Sequence, residues 1–293
     1  IQRIAITGAS GLIGSALVGK LKSDGYTVQR LVRRPTVSSE EIYWNPLESK
    51  VDLEALAGVD AVIHLAGAGV GDKRWTKKYK SEILNSRLLG TTTIANAVAE
   101  VKPQVFISSS AIGWYGETGN RAVIESDRGG DDFLAAVCRE WESAADLAGD
   151  VRTVKIRTGL VLDPTGGALG RMLPLFRFGL GGKLGNGKQW WSWITLHDHL
   201  RAIEFLLENK EISGPVNLTS PNPVTNQEFT SALARALRRP ALLPAPAFAL
   251  KLALGGFSTE ILGSKKVLPN VLQEAGFNFD FPHIGPALDA LAD

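Results

Sequence analysis

Sulfur is nearly absent from this 293-residue chain, which has one cysteine, Cys138, and one methionine, Met172. A single cysteine excludes an internal disulfide and any cysteine metal cluster, and suits a reducing compartment, so a cytoplasmic setting is expected. No apolar run reaches the length needed to span a bilayer, and no signal-peptide pattern opens the sequence as given. An excess of one charge is lacking too. The 32 Lys and Arg stand against 30 Asp and Glu, and no basic block or interleaving of arginine with aromatics suits nucleic acid. Neither nucleic acid nor a membrane is therefore an expected partner. The sequence starts at Ile1, which fits a processed chain or part of a longer polypeptide.

What is present is a hydrophobic content of 44%, enough to bury a core in one large domain or two intimate ones. Residues 4–14, Ile-Ala-Ile-Thr-Gly-Ala-Ser-Gly-Leu-Ile-Gly, are the most informative stretch. The apolar run predicts a buried parallel strand, and Ala16, Leu17, Val18 and Leu21 beyond it predict a helix. Strand, glycine turn and helix in that order make the phosphate-binding corner of a dinucleotide fold. Gly8 allows the turn, Gly11 lets the backbone approach a pyrophosphate, and Gly14 lets helix and strand pack closely. Ser10, Leu12 and Ile13 complete the loop, and amides at the helix start meet the phosphate charge.

The next strand, residues 26–32, ends in Arg33-Arg34-Pro35 with no acid to hold the ribose hydroxyls of NAD. A guanidinium there suits a 2′-phosphate, so NADP is the expected cofactor and Arg33 its reader. The plainer reading of two such arginines is a solvated loop.

Strands alternate with helical stretches through the first half, the pattern of an α/β doubly wound parallel sheet. Strands are expected at 60–67, 105–107 and 154–161 and helices at 76–99 and 131–147, with 40–52 irregular. Ligands of such sheets bind beyond the carboxyl ends of the strands. That rule lines up the glycine loop, Arg33, Leu65, Ala66, Gly67, Ser108 to Ser110 and Val161. Eight glycines between 166 and 187, with Trp190, Trp191 and Trp193 beyond, read as a mobile flap or as a connection whose tryptophans are core. The expected organisation is an NADP-binding Rossmann domain over 1–162, to which 197–219 return. A flap and a smaller substrate-side lobe would then take 163–196 and 220–293.

Several motifs carry a family likeness. Thr7 with its GxxGxxG spacing resembles the TGAxGxxG signature of the short-chain dehydrogenase/reductase superfamily. His64-Leu65-Ala66-Gly67, Leu89-Gly90-Thr91-Thr92, the serine run and Trp114-Tyr115-Gly116 resemble its extended branch, the NAD(P)-dependent epimerase/dehydratase group. Asn85-Ser86-Arg87, Arg157-Thr158-Gly159, Gly166-Gly167-Ala168-Leu169 and residues 193–198 are similar to the epimerase family labelled sugar-nucleotide epimerase or SulA-like. The tail, with Val267-Leu268-Pro269 and Ala275-Gly276-Phe277-Asn278-Phe279, resembles that family's small C-terminal domain.

The resemblance implies hydride transfer between NADP(H) and a small carbonyl- or hydroxyl-bearing substrate such as a sugar nucleotide. In the superfamily a tyrosine moves the proton, a lysine four residues later lowers its pKa, and a serine polarises the substrate oxygen. Only Ser110 stands in place here. Aligned on Trp141-Glu142, the other two positions hold Leu134 and Cys138. Tyr115 matches a separate loop tyrosine and is a second candidate for proton transfer. Glu82 and Arg87 match helix positions near the nicotinamide half, Arg87 standing where many relatives keep asparagine; the plainer reading is a surface salt link.

His64, on an apolar strand, reads as a core histidine. His197, Asp198 and His199 read as a helix start, so no metal is expected. Cys138 has no neighbouring base and reads as an inert thiol. Two functions stay open: a divergent NADP-dependent oxidoreductase or epimerase, acting on a small molecule alone or as a homodimer, and a non-catalytic NADP(H)-binding redox sensor or scaffold.

Overall fold

A computed structural model describes residues 1–292 of the chain. The first half runs β1 (Arg3–Thr7), α1 (Leu12–Ser23), β2 (Thr27–Val32), β3 (Glu41–Asn45), β4 (Lys50–Val51), α2 (Leu53–Leu56), β5 (Ala61–His64), α3 (Lys77–Val101), β6 (Val105–Ala111), β7 (Ala122–Val123) and α4 (Phe133–Ala145). The second half runs β8 (Thr153–Thr158), β9 (Leu160–Asp163), α5 (Gly167–Arg177), β10 (Trp190–Trp191), β11 (Trp193–Thr195), α6 (Leu196–Glu208), β12 (Gly214–Leu218), β13 (Val224–Thr225) and α7 (Asn226–Ala236). It closes with α8 (Ala247–Leu254), α9 (Ser258–Leu262), β14 (Lys266–Val267), α10 (Asn270–Glu274) and α11 (Ile284–Ala292).

The main sheet has eight strands in the order β12-β8-β6-β5-β1-β2-β3-β4, parallel except for the β3–β4 pair. Strand order reverses between β1 and β5, so the crevice for a ligand opens at their carboxyl ends. Period-2 alternation sorts the strand side chains onto two faces. Ile4, Ile6, Ile63, Ile107 and Ile156 pack with Leu17, Leu21 and Leu206 on one side, and Ala5, Val62 and Phe106 with Ile94 and Val98 on the other. Side-chain caps fix the starts of four longer helices: Thr76 on α3, Asp132 on α4, Thr195 on α6, and a Thr225–Glu228 capping box on α7. No helix among the described residues is long and apolar enough to cross a membrane.

Four features differ from the sequence reading. The stretch 40–52 contains β3, whose Ile42 and Trp44 are buried on the sheet; acidic flanks hide a short apolar alternation. The strand expected over 154–161 breaks at Gly159, where a Cβ would come within 2.6 Å of the Ser192 carbonyl oxygen. Within the expected flap, Leu169, Leu173 and Phe176 of α5 are buried with Trp193, Phe229 and Leu288 in a second core. The lobe expected over 220–293 is not continuous, because Leu272 and Phe277 pack into the main core beside β12.

Two histidines lie wholly inside this frame. Burial pulls His64 down to about 3 and His199 down to about 4, so both are neutral when folded. The unfolded chain takes up those protons below about 6.5. Stability present above that pH is therefore lost as pH falls, at about 1.4 kcal/mol per pH unit for each histidine, until about 4 for His199 and 3 for His64. Urea unfolding from pH 7 to 4 should show this slope, reduced in His199→Gln; an identical slope in the variant would exclude His199 as a source.

Candidate functional site

The crevice at the β1–β5 switch is built by backbone-to-backbone approach. Gly8 has φ +68°, and a Cβ on it would lie 2.7 Å from the Leu65 carbonyl carbon. A Cβ on Gly14 would overlap the Gly8 carbonyl oxygen, whereas one on Gly11 would meet nothing nearer than 3.5 Å. Gly8 and Gly14 thus allow packing, and Gly11 faces open space. Helix α1 starts at Gly11 with no side-chain cap and no acid in its first turn. The amides that open a helix have no partner within it, so those of Leu12 and Ile13 are available to an anion. Ser10 is exposed beside them.

Helix α5, which the sequence reading did not place here, begins at the same spot. Its N-cap is Gly166, also without a side-chain cap, and a Cβ there would lie 3.1 Å from Leu12 Cδ1. Two uncapped helix starts therefore adjoin one crevice, and their dipoles suit the pyrophosphate of a dinucleotide. Val161 on β9, paired with Ile194, lies beside them, its carbonyl oxygen 3.6 Å from where a Gly167 Cβ would stand.

Across the crevice, Thr7 Oγ1 accepts hydrogen bonds from the Leu65 and Ala66 amides, at 3.1 and 3.3 Å. With both lone pairs used, its proton points to His64 Nδ1, 2.7 Å away, which places the imidazole proton on Nε2. Leu65 and Ala66 can therefore touch a cofactor through side chains and carbonyls, their amides being taken. Beyond β2 the two arginines part company. Arg34 makes a bidentate pair with Glu41, at 2.6 and 2.9 Å, and Arg34 together with the Val37 amide holds the Glu41 carboxyl down at about 2. Arg33 is exposed and has no hydrogen-bond or ion-pair partner among the described residues.

On α3 the expected pair splits. Glu82 is exposed and faces Lys73 at 3.4 Å, a surface salt link. Arg87 turns inward. Its Nη1 donates to the carbonyls of Ala68 (2.9 Å) and Ile83 (3.1 Å), and its guanidinium lies 4.7 Å from the Trp141 ring centre. No carboxylate pairs with it among the described residues.

The two candidate catalytic residues, Ser110 and Tyr115, lie in a buried polar network. Ser110 donates to Glu142 Oε1 at 2.7 Å. Arg157 holds the same carboxylate from Nε (2.8 Å) and Nη2 (3.0 Å), and its Nη1 donates to Tyr115 Oη at 3.0 Å. Tyr115 in turn donates to Asn217 Oδ1 at 2.8 Å. Tyr115 is 3% exposed, burial pushes its phenol up to about 12, and both roles of its hydroxyl are filled internally. Ser110, likewise buried, spends its proton on Glu142 and offers the crevice only lone pairs.

The turn Ile112–Tyr115 packs directly on Leu134 and Cys138, with a Gly113 Cβ falling 3.3 Å from Leu134 Cβ and 3.6 Å from Cys138 Sγ. Burial pushes the Cys138 thiol up to about 12, and its Sγ faces the Ala111 carbonyl at 3.7 Å. Sequence reasoning missed Glu142 and Arg157 as partners. The available signal was an acid at position 142, within the apolar stripe of Leu134, Cys138, Trp141 and Ala145.

His197, Asp198 and Asp280 bring donor atoms together. However, Arg201 Nη1 donates to Asp198 Oδ1 at 2.9 Å and lies 3.1 Å from Asp280 Oδ1, so a cation already fills the cluster.

Removing one partner from a buried ion pair costs about 3–5 kcal/mol, and removing one buried hydroxyl about 1–3 kcal/mol. Glu142→Ala should accordingly lower unfolding stability more than Tyr115→Phe, measured in urea. Wild-type stability in Tyr115→Phe would remove Tyr115 from the network.

Residues 4–134 match the NAD dependent epimerase/dehydratase family, and residues 245–291 match a domain of unknown function, DUF1731. An epimerase family protein of Mycobacterium leprae is 45% identical over 289 residues, covering 97% of this chain and 94% of that protein. The crystal structure of human epimerase family protein SDR39U1 (isoform 2) with NADPH is 32% identical, covers 99% of each chain and superposes with a TM-score of 0.93. A nucleoside-diphosphate sugar epimerase structure from Corynebacterium glutamicum is 34% identical, with a TM-score of 0.82 over 99% of this chain and 58% of that one. Crevice, sheet order and likeness along nearly the whole length agree: the chain belongs to the NAD-dependent epimerase/dehydratase family.

Proposed function

We propose that this protein binds NADP(H) and transfers hydride between it and a small carbonyl- or hydroxyl-bearing molecule, such as a sugar nucleotide, without a tyrosine–lysine pair. The observation that carries this reading is the crevice at the strand switch, with its two uncapped helix starts and no room for side chains at Gly8 and Gly14. Gly8, Ser10, Gly11, Leu12, Ile13 and Gly14 would line the pyrophosphate, with Leu65, Ala66 and Val161 against the rest of the dinucleotide. Arg33, left free while Arg34 serves Glu41, would take the 2′-phosphate. The NADPH in the human relative's structure supports the phosphorylated cofactor. Arg87, a cation without a carboxylate partner beside the Gly67–Ala68 backbone, would neutralise charge on the cofactor's nicotinamide side.

The bound nicotinamide supplies or accepts the hydride. Ser110, whose hydroxyl donates to Glu142, is set to accept a hydrogen bond from a substrate hydroxyl and must turn from Glu142 to polarise a carbonyl; the proton that accompanies the hydride is then exchanged with water. The second reading, a redox sensor without turnover, is supported by the covering of Leu134 and Cys138, which leaves a hydrocarbon and a thiol held protonated by burial at the family's proton-transfer positions.

Titration should give tighter binding of NADPH than of NADH. Arg33→Ala should cost NADPH about 1–3 kcal/mol and leave NADH unchanged; equal affinities in the wild type would sink the assignment. NADPH oxidation against a panel of carbonyl compounds and sugar nucleotides separates the two readings. Turnover that Ser110→Ala lowers and Cys138→Ser spares supports the enzyme, and bound NADPH with no turnover across the panel supports the sensor.

A further inference from the structure

One face of the C-terminal half is apolar, protruding and cationic at once. Two extended stretches run side by side there. The Leu243 amide donates to the Gly181 carbonyl (3.2 Å), the Ala245 amide to the Lys183 carbonyl (2.9 Å) and the Gly185 amide to the Ala245 carbonyl (2.8 Å). This pairing gathers Phe178 and Leu180 from one stretch with Leu242 and Leu243 from the other, and Pro246 leads the second straight into α8. Helix α8 reads Ala-Phe-Ala-Leu-Lys-Leu-Ala-Leu, and none of its residues is buried. A helix apolar on nearly every side belongs in a core or against lipid. Phe248 and Leu252, one turn apart on the same face, are 74% and 76% exposed, and Phe178 and Leu242 are 80% and 79% exposed. Side chains this prominent are projections, not the walls of a groove, and so many exposed large apolar groups on two paired stretches and the helix they lead into mark an interaction site.

Charge selects the partner. The two stretches with their flanking segments, residues 171–188 and 235–251, hold eight Lys and Arg and no Asp or Glu, and Glu260 of the neighbouring α9 is paired with Lys265. Arg171 is paired with Asp72, whereas Arg177, Arg238, Arg239 and Lys251 are exposed with no carboxylate partner among the described residues. A second copy of the chain would set cations against cations, an arrangement that disfavours pairing. We propose that this face rests on an anionic phospholipid surface. The phenylalanine and leucine side chains enter the boundary between headgroups and acyl chains, and the rim cations meet lipid phosphates. The expectation of no membrane partner rested on the lack of a spanning segment, which peripheral contact does not need.

Flotation of the full chain with vesicles tests this. One set is phosphatidylcholine alone and the other contains about 30% phosphatidylglycerol, an anionic content high enough to set up a surface potential. The protein should float with the anionic vesicles at least about five-fold more than with the neutral ones, and less as salt rises. Arg238→Glu with Arg239→Glu should erase the preference, and Phe178→Ser with Phe248→Ser and Leu252→Ser should abolish flotation. Each variant should keep the wild-type thermal midpoint, since the residues changed are exposed. In Phe248→Trp, the new indole's emission should shift to the blue on anionic vesicles. Protein that stays in the aqueous layer with both vesicle types overturns the proposal. So does equal flotation of the wild type and both multiple variants, or a concentration-dependent dimer that the apolar variant dissolves.

Discussion

The hydroxyl of Thr7 sets how closely β1 and β5 approach at their carboxyl ends. It accepts from two successive amides of the opposite loop and gives its own proton to a histidine that no water reaches. In a buried, low-dielectric setting such shared hydrogen bonds reinforce one another, and each is costly to break. The loop it captures is the one pressed against Gly8, and its continuation, Gly67 and Ala68, seats Arg87. A single side chain thereby fixes the crevice floor, the turn above it and the nearest inward-facing cation.

The other half of the site is organised around a different interaction. Where relatives of the superfamily project a tyrosine and a lysine from the helix equivalent to α4, this chain puts an apolar side chain and an unreactive thiol, and lays a backbone turn over both. The polar group that this helix does bury is Glu142, four residues beyond Cys138. The Glu142–Arg157 pair binds α4 to β8, Tyr115 and Asn217 extend the link to β12, and Trp114 stacks on the guanidinium at 4.0 Å. This network fixes Ser110 in place and fixes which way its proton points.

The cofactor corner was legible in the sequence because it is local: three glycines, a strand and a helix within twenty residues carry the whole pattern. Arg33 was chosen there by position alone; that Arg34 is engaged elsewhere was not legible, because the residue that takes it lies in a strand that acidic flanks made look irregular. Tyr115 and Ser110 were read as free groups because their partners lie 102, 42 and 32 residues away, at Asn217, Arg157 and Glu142. Glu82 and Arg87 occupy neighbouring turns of one helix, and helical spacing alone could not decide which faced inward. Side-chain contacts across the third dimension decided each of these cases. The placement of Leu272 and Phe277 in the main core followed the same logic, since an apolar pair in a loop does not name the surface it will cover.

The turn Ile112–Tyr115 has a consequence for anyone wishing to return this scaffold to ordinary superfamily chemistry. Leu134→Tyr with Cys138→Lys restores the letters of the usual motif but not the space for them. The phenol would be driven into the backbone at Gly113, and the ammonium would be buried beneath it without a carboxylate free to meet it. Shortening the segment between Ala111 and Gly116 would have to come first, and that segment also carries Trp114 and Tyr115, which brace Arg157. Packing at Gly113 thus leaves no space for a tyrosine–lysine pair on α4, and installing one would need a change of backbone before any change of side chain.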